Sequence, residues 1–460
     1  MLTVALASVR FCGAEVDILV TGRKALANDG VSTASKIADQ AVKDNPNSAA
    51  AHEFRGEVLF RRGQFAQAEE AFRLAANLDS KYALAWWGLS RVSAVNSKNK
   101  TARDYIERAH ALEPDDPRIF RDWVARLPAG LQVEAVENHL ARAGRNADPA
   151  EVIELEQRLQ YARAVRDRPV MVLASAYRPM EISLAALITD KTHMRSYGLE
   201  VSVNGKLLRL VLDTGAAGIV IPRKAAEQAG LRRLSQASML GFGDAAKLSA
   251  GYRAIAERLR IGDLEYRDAL ISVSDQESVG TADGLIGTNI FAEFLTTLDF
   301  REKKLRLNPL PDYRPSDTSV PDRVIPPGLE HATPVFKFGH LLLLPTRVNG
   351  SREALFIIDS GADRTLISYD LANEVSKLIR DNKMRMSGIN GQVADLYQTG
   401  NLVLQFAGFE QKNLGMSSID TWNQSRQIGT EISGFLGLPV LDLFTLTIDY
   451  RDGLVNFERR

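Results

Sequence analysis

Two short stretches, Asp213-Thr214-Gly215-Ala216 and Asp359-Ser360-Gly361-Ala362, place the same acidic motif twice in one chain. A largely apolar run precedes each motif, Leu207 to Leu212 before the first and Ala354 to Ile358 before the second. Such runs are typical of buried strands, so each aspartate is predicted to follow a strand end. Two carboxylates presented alike by two copies of one fold can meet at a pseudo-twofold axis. They would then share one proton, because two like charges about 3 Å apart cannot both ionise.

The two motifs belong to a longer duplication, between about 193–310 and 333–460. An Asn-Gly dipeptide stands nine residues before the first aspartate, at Asn204, and ten before the second, at Asn349. This dipeptide favours a tight hairpin, because both residues tolerate positive φ. Each half then has an apolar-glycine element, with 150 residues between equivalent glycines, at Gly284, Gly287, Gly434 and Gly437. The pattern of short strands and turns predicts two copies of one β-rich lobe.

Between the acidic motif and the apolar-glycine element, each half holds a glycine-flanked segment, 240–243 in the first and 387–391 in the second. Glycine permits tight bends, so these segments are candidate hairpin tips. The proline-rich stretch 311–332 joins the halves and is predicted to be extended, crossing from one lobe to the other.

Residues 31–165, ahead of the lobes, are predicted to form helical repeats. Pro46, Ser80 and Pro114 lie 34 residues apart, and small or apolar residues recur at helical spacing between them. The pattern resembles the tetratricopeptide repeat, whose helix–turn–helix units stack into a solenoid. The resemblance leaves two interpretations, a concave surface for a peptide or protein partner and a helical spacer without a partner. Residues 166–192 are interpreted as a linker, and 1–30 as an N-terminal segment.

The composition limits the classes of protein to which the chain can belong. With 45% hydrophobic and 25% charged residues, the 460-residue chain has the composition of a soluble globular protein. Lys+Arg and Asp+Glu both total 57, so no net charge favours nucleic acid or an anionic membrane as a partner. The single cysteine, Cys12, excludes an intrachain disulfide framework and a cysteine-based zinc site. Neither a metal nor a cofactor is expected, because no paired ligand spacing occurs among His52, His110, His139, His193, His331 and His340.

The N-terminus admits two interpretations. Met1 to Val9 looks like the end of a secretory h-region, yet no basic n-region precedes it and Arg10 follows closely. A residual signal sequence and an ordinary first helix both fit, so the choice between a periplasmic or secreted and a cytoplasmic location stays open.

Over about 193–310 and 333–460 the chain resembles the retropepsin-like aspartic proteases, specifically bacterial aspartyl protease domains preceded by tetratricopeptide repeats. The resemblance implies a multidomain chain, in which an all-α solenoid precedes an all-β acid protease with two pseudo-twofold related lobes. It also implies an aspartic endopeptidase that acts on peptides or proteins, with Asp213 and Asp359 as the catalytic pair.

The same resemblance assigns roles to the residues around the pair. Hydroxyl groups of Thr214 and Ser360 would cross-link the two loops, and Gly215 and Gly361 would let the backbone turn and leave room for substrate. Gly284, Gly287, Gly434 and Gly437 would form the structural element beneath the loops. The implied substrate contacts, including those of two flaps, are Ala216, Ala362, Asp363, Gly241, Phe242, Gly388 and Ile389.

Asp363 has a second interpretation, an ion pair with the neighbouring Arg364, and both interpretations remain open. In the implied reaction one carboxylate acts as general base on a water, and its protonated partner polarises the scissile carbonyl. Base and acid stay unassigned, because a coupled pair titrates as a unit. The alternative function is a non-catalytic module in which the solenoid recruits a protein and the lobes bind peptide without turnover.

Overall fold

The computed structural model describes residues 17–28, 30–144, 148–188, 195–239, 249–275, 282–310, 322–381, 386–388, 391–393 and 395–459. The chain divides into two compact units. The helical unit is built from Met1–Leu127, Pro315–Asp322 and Ser425–Glu431, and the β-rich unit from Pro128–Arg314, Arg323–Gln424 and Ile432–Arg460. Within the described ranges, no helix combines the length and the apolar character that a bilayer span requires.

Helices dominate the chain up to residue 165. They are α1 (17–28), α2 (Val31–Asp44), α3 (Ala49–Arg61), α4 (Phe65–Leu78), α5 (Ala83–Val95), α6 (Asn99–Leu112), α7 (Pro117–Val124), α8 (Ala129–Ala143) and α9 (Pro149–Val165). The starts of α3, α5 and α7 are 34 residues apart, and so are those of α2, α4 and α6. The period read from the sequence is therefore the spacing of equivalent helices. Helices α8 and α9 belong to the β-rich unit.

Phe72 of α4 shows why small residues recur in the helical unit. Its ring is fully buried, and a methyl group added at Gly56 of α3 or Gly88 of α5 would lie 2.6 Å or 2.4 Å from a ring carbon. The ring thus occupies space that both neighbouring helices leave free. A larger residue at either glycine would force these helices apart, because protein interiors are close-packed.

After α9, the described residues form strands and short helices. Before residue 310 these elements are β1 (Val172–Leu173), β2 (Met180–Ser183), β3 (Ala185–Ile188), β4 (Arg195–Val203), β5 (Lys206–Asp213), β6 (Ile219–Pro222), α10 (Arg223–Gln228), β7 (Arg232–Met239), β8 (Ser249–Ile261), β9 (Leu264–Ser274), β10 (Gly284–Gly287), β11 (Phe294–Asp299) and β12 (Lys304–Pro309).

After residue 332 they are β13 (Thr333–Pro334), β14 (Phe336–Phe338), β15 (Leu341–Val348), β16 (Glu353–Asp359), β17 (Leu366–Ser368), α11 (Tyr369–Val375), β18 (Ile379–Arg380), β19 (Met386–Gly388), β20 (Gly391–Val393), β21 (Tyr397–Gln398), β22 (Leu402–Phe406), β23 (Phe409–Asn413), β24 (Ser417–Ile419), α12 (Trp422–Ile428), β25 (Gly434–Gly437), α13 (Leu438–Leu441), β26 (Phe444–Asp449) and β27 (Leu454–Arg459). The last four residues of α12 fall in the part of the chain assigned to the helical unit.

The duplication in the sequence is a duplication of sheet topology. In the first lobe β10 runs parallel to β5, with Gly287 beside Asp213. In the second lobe β25 runs parallel to β16 in the same register, with Gly437 beside Asp359. The Asn-Gly turns have positive φ at both residues, and they connect β4 to β5 and β15 to β16. Each lobe therefore delivers its aspartate at the end of an equivalent central strand.

A six-stranded sheet joins the two lobes, with strands in the order β13-β27-β26-β11-β12-β2. Strand β11 of the first lobe pairs antiparallel with β26 of the second, so Thr297 lies opposite Thr447 and their hydroxyls are 3.1 Å apart. Apolar side chains of both lobes form one core cluster. The predicted arrangement, a helical region followed by a β-rich region with two related lobes, is confirmed.

The segment 166–192, interpreted as a linker, contributes strands to the β-rich unit. Strand β1 pairs with β9, β2 with β12 and β3 with β4. In the second expected linker, 311–332, residues 311–321 lie outside the described ranges, and a turn at Gly328 with φ 88° occupies part of the remainder.

Candidate active site

The candidate site forms where the two central strands end. Asp213 is the last residue of β5 and Asp359 is the last residue of β16. The strand residues before each aspartate are mostly buried, whereas both aspartates keep part of their surface exposed. Buried strands therefore fix the main chain, and the carboxyl groups remain accessible at the strand ends.

Hydroxyl groups bind the two loops to each other. Thr214 Oγ1 donates to the Ile358 carbonyl oxygen at 2.7 Å and accepts from Ser360 N at 2.9 Å. Ser360 Oγ mirrors this arrangement, since it donates to the Leu212 carbonyl oxygen at 2.9 Å and accepts from Thr214 N at 3.1 Å. Thr214 is 0% and Ser360 2% exposed, so these four bonds form in the interior. They hold both loops in one relative position.

Main-chain N–H groups orient the carboxylates. Gly215 N donates to Asp213 Oδ1 at 2.7 Å, and Gly361 N donates to Asp359 Oδ1 at 3.0 Å. Ala362 N gives Asp359 Oδ1 a further bond at 3.0 Å. Such bonds stabilise the ionised form of a carboxylate and fix its rotamer.

The two carboxyls lie close together, since a methyl group at Gly215 would lie 3.1 Å from Asp359 Oδ1 and 3.2 Å from Asp213 Oδ1. Each carboxyl therefore affects the pKa of the other. Burial raises the pKa of Asp213, and the bonds from Gly215 N and from the Asp359 carboxyl lower it in part. Burial also raises the pKa of Asp359 well above its usual range, and the negative charge of Asp213 raises it further. These directions describe a pair that keeps one shared proton over a broad pH span.

The motif glycines make this contact sterically feasible. A methyl group at Gly361 would lie 2.5 Å from Asp213 Cγ, and one at Gly215 would lie 3.0 Å from Asp359 Cγ. Each glycine therefore faces the aspartate of the opposite lobe. The structure shows that these glycines leave room for the other carboxyl. That they also let the backbone turn and leave room for substrate stays a prediction.

The four glycines of the apolar-glycine elements pack against the strands and loops of the motifs. A methyl group at Gly287 would lie 2.2 Å from the Ala216 carbonyl oxygen, and one at Gly437 would lie 2.2 Å from the Arg364 carbonyl oxygen. Similar groups at Gly284 and Gly434 would lie within 2.4 Å of the carbonyl oxygens of Val220 and Leu366. Side chains are therefore excluded from all four positions by backbone atoms.

The lobes differ beyond the shared motif. In the first lobe Asn289 Oδ1 accepts from Gly218 N at 2.9 Å, whereas in the second Thr365 Oγ1 accepts from Gly437 N at 3.2 Å. Asp363 forms an ion pair with Arg364, whose Nη2 donates to Asp363 Oδ2 at 2.8 Å. The structure thus contains the ion pair that was one of the two interpretations of Asp363.

The strands that flank the expected flap segments pair with each other in both lobes. Strands β7 and β8 pair up to Met239 and Ser249, and β19 pairs with β20 up to Gly388 and Gly391. Gly241, Phe242 and Ile389 lie outside the described residues. Gly388 ends β19 and is the expected flap residue whose backbone the structure describes.

Two residues beside the first motif were not recognised from the sequence. His340 Nε2 lies 3.1 Å from the Gly215 carbonyl oxygen, and the Tyr450 hydroxyl hydrogen bonds with that of Thr288, next to Gly287. Burial raises the pKa of Tyr450, and the charge of Asp213 raises it further. The His340 contact spans 125 residues, and no local pattern in the sequence indicates it.

Family models match one region in each lobe. Residues 199–293 match the family described as "gag-polyprotein putative aspartyl protease", and residues 344–440 match the family described as "Aspartyl protease". No curated protein matches the chain at a significant level.

The aspartic proteinase from Irpex lacteus is a similar solved structure. It is 12% identical and has a TM-score of 0.37, and the match covers 61% of this chain and 97% of that one. With an aspartyl protease domain in each of its two lobes, the chain belongs to the retropepsin-like (clan AA) aspartic proteases and is an aspartic-type peptidase.

Proposed function

We propose that Asp213 and Asp359 form the catalytic pair of an aspartic endopeptidase. The observation that supports this most directly is the close approach of the two carboxyls at the ends of equivalent strands. Burial raises the pKa of both groups. Two surface carboxylates would separate to avoid repulsion. Here the loops are bonded to each other, so the groups stay together and one proton lies between them.

The pair can supply both functions that hydrolysis of a peptide bond requires. The ionised carboxylate takes a proton from a water, which attacks the scissile carbonyl carbon. The protonated partner donates to the carbonyl oxygen as negative charge develops there. A gem-diol forms without a covalent enzyme intermediate, and proton transfer to the leaving nitrogen lets the C–N bond break.

The surrounding structure supports this role by restricting movement. Hydroxyl groups of Thr214 and Ser360 keep the loops in register, and main-chain N–H groups fix the carboxylate rotamers. Little reorganisation is then needed when charge develops, which is how preorganised sites lower barriers. Substrate would lie across the strand ends as an added strand. The hairpins β7–β8 and β19–β20 are the proposed flaps.

We also propose that the helical unit, with its tetratricopeptide-like period, recruits a protein substrate or partner. Helices α3 and α5 bring polar and aromatic groups together, since the partly exposed Arg91 lies over the buried rings of Phe60 and Trp87 and pairs with Glu57. The end of α3 already binds main-chain groups of Ser425–Glu431. Arg61 Nη1 donates to the Arg426 carbonyl oxygen at 3.3 Å, and the Arg61 carbonyl oxygen accepts from Glu431 N at 2.7 Å.

The catalytic assignment is tested with Asp213→Asn and Asp359→Asn, assayed on a denatured protein at acidic to neutral pH. Both variants should lose at least about 1000-fold in kcat/KM, since removal of one member of a unit removes its function. Asp263→Asn, at an aspartate whose side chain is 74% exposed, is the matched control for loss of one carboxylate. Full activity in either dyad variant would contradict the assignment.

Recruitment is tested with the full-length Asp213→Asn protein, which should bind protein substrates without cleaving them. Captured native proteins are cross-linked, and the cross-links are mapped by mass spectrometry. Cross-links within 17–127 support recruitment by the helical unit. Cross-links confined to 195–459 would show that the lobes alone bind the substrate.

A further inference from the structure

The turn between β14 and β15 brings a histidine against the first catalytic loop. Gly339, at φ 59°, lets the chain turn, and His340 follows with its side chain directed to the loop. Its Nε2 lies 3.1 Å from the Gly215 carbonyl oxygen. A carbonyl oxygen only accepts, so His340 must donate through Nε2–H. The proton of the neutral ring is thereby assigned to Nε2.

The peptide group that receives this bond continues to the catalytic carboxylate. The Gly215 carbonyl and the Ala216 N–H belong to one peptide unit. The Ala216 nitrogen lies 3.3 Å from the Asp213 carbonyl oxygen, and the Ala216 N–H lowers the pKa of the Asp213 carboxyl. A bond accepted at a peptide oxygen polarises the same unit and strengthens the bond that its N–H donates.

We propose that His340 is a positioning residue that stabilises the ionised form of Asp213 through the Gly215–Ala216 peptide. The inference rests on the proposed function of the carboxyl pair. The turn between β14 and β15, in the second lobe, is then a third segment that supports the carboxyl pair, beside the two loops that carry it. The carboxyl pair is asymmetric as a result.

The position of His340 is secured by its neighbours. Lys337 of β14 donates through Nζ to the Tyr450 carbonyl oxygen at 2.9 Å, which holds the strand before the turn. The Tyr450 hydroxyl in turn bonds with that of Thr288, in the first lobe. Besides the bonds between the two motif loops, the second lobe therefore reaches the surroundings of the first motif through Tyr450 and His340, and of these two His340 contacts the catalytic loop itself.

Two titratable groups near Asp213 interact with the charge of its carboxylate. Asp359 faces it from the opposite loop, and Tyr450 interacts with its charge from the end of β26. At His340 itself, burial lowers the pKa and the bond to the Gly215 carbonyl raises it in part. Both charge states of the imidazole carry a proton on Nε2, so the donated bond persists as the ring titrates.

The test measures the ionisation of Asp213 without relying on proteolysis. A small epoxide esterifies a carboxylate when its oxygen attacks the ring carbon, the ring C–O bond breaks and the alkoxide takes a proton from water. The rate at Asp213, read by mass spectrometry of its peptide across pH, gives the midpoint of ionisation. The full-length wild type is compared with His340→Gln, which keeps an N–H donor, and with His340→Phe and His340→Met, which have none.

Loss of the donor should raise the midpoint of Asp213 by about half a pH unit, because the ionised form loses part of a hydrogen bond. Below that midpoint kcat/KM should fall about threefold, the factor that half a pH unit implies. The Gln variant should keep the wild-type midpoint. An unchanged midpoint in Phe and Met, or an equal rise in Gln, would overturn the proposal.

The wild-type protein provides a measurement that does not depend on how the variants fold. Imidazole ¹⁵N shifts of His340 should show the proton on Nε2 in the neutral ring, and a proton on Nδ1 would refute the inference. Failure of the proposed function gives a different result, namely no dyad-dependent cleavage while the Asp213 midpoint still depends on His340. Cleavage with identical midpoints in all variants would instead refute only the role of His340.

Discussion

Replacing Thr214 by valine tests what holds the two catalytic loops together. Valine has nearly the shape of threonine, so the change removes one hydroxyl and leaves packing intact. That hydroxyl donates to the Ile358 carbonyl oxygen and accepts from Ser360 N. Both partners lie in the interior, and Thr214 itself is 0% exposed. Water therefore cannot replace the missing hydroxyl in the folded state.

The magnitude follows from the two backbone groups left without a partner. An unsatisfied buried donor or acceptor costs about 1–3 kcal/mol, so Thr214→Val, which affects two such groups, should lower the local opening free energy by about 2–6 kcal/mol. Ser360→Ala removes an equivalent pair of bonds and should cost a similar amount. Because each change loosens the loops that both hydroxyls join, the double variant should deviate from additivity by about 0.5–3 kcal/mol.

Hydrogen-exchange mass spectrometry of peptides that span 208–216 and 354–362 measures this opening. Exchange should accelerate by at least about 30-fold, since each 1.4 kcal/mol is tenfold. The matched control is Thr297→Val, whose hydroxyl contacts that of Thr447 in the six-stranded sheet. It should cost no more than about 1.5 kcal/mol and leave exchange at the motifs unchanged. Exchange at the motifs that stays within threefold of wild type in Thr214→Val would refute the reasoning.

Two further predictions concern a glycine and a buried acid. Gly361→Ala should reduce kcat at least about 100-fold, because the added methyl would lie 2.5 Å from Asp213 Cγ. Gly215→Ala should reduce kcat less, because its methyl would lie 3.0 Å from Asp359 Cγ. Steady-state kinetics measure both losses, and equal losses would contradict the steric account. Asp449 is buried, and burial raises its pKa to about 6, so its neutral form favours the folded state and stability should fall as pH rises from about 4 to 6. In Asp449→Asn the melting temperature should change less with pH over this range. A dependence on pH equal to that of the wild type would show that Asp449 does not cause the effect.

Local patterns carried most of the fold prediction. The apolar runs before Asp213 and Asp359 indicate strands because a buried strand needs several apolar residues in succession. The 34-residue spacing corresponds to helix starts because equivalent helices pack in equivalent surroundings. The Asn-Gly turns need only the conformational tolerance of two residues. Such features depend on neighbours along the chain, and one sequence suffices to recognise them.

The details of the candidate site depend on contacts between distant residues. His340 meets the loop of Gly215 across 125 residues, and its own neighbourhood in the sequence indicates nothing of this. The same holds for the segment 166–192, whose pairing with β12 and β9 follows from sheet geometry.

The sequence alone determined that two similar lobes would each present an Asp-Thr/Ser-Gly motif at a strand end, after a helical region. Tertiary structure alone decided that Gly361 would give space to the opposite carboxyl and that His340 would contact the first catalytic loop. The physical reason is the separation along the chain. Strand and helix periodicity arise from residues close in the chain, whereas contacts and steric clearance between the lobes arise from distances that exist only after the lobes have packed together.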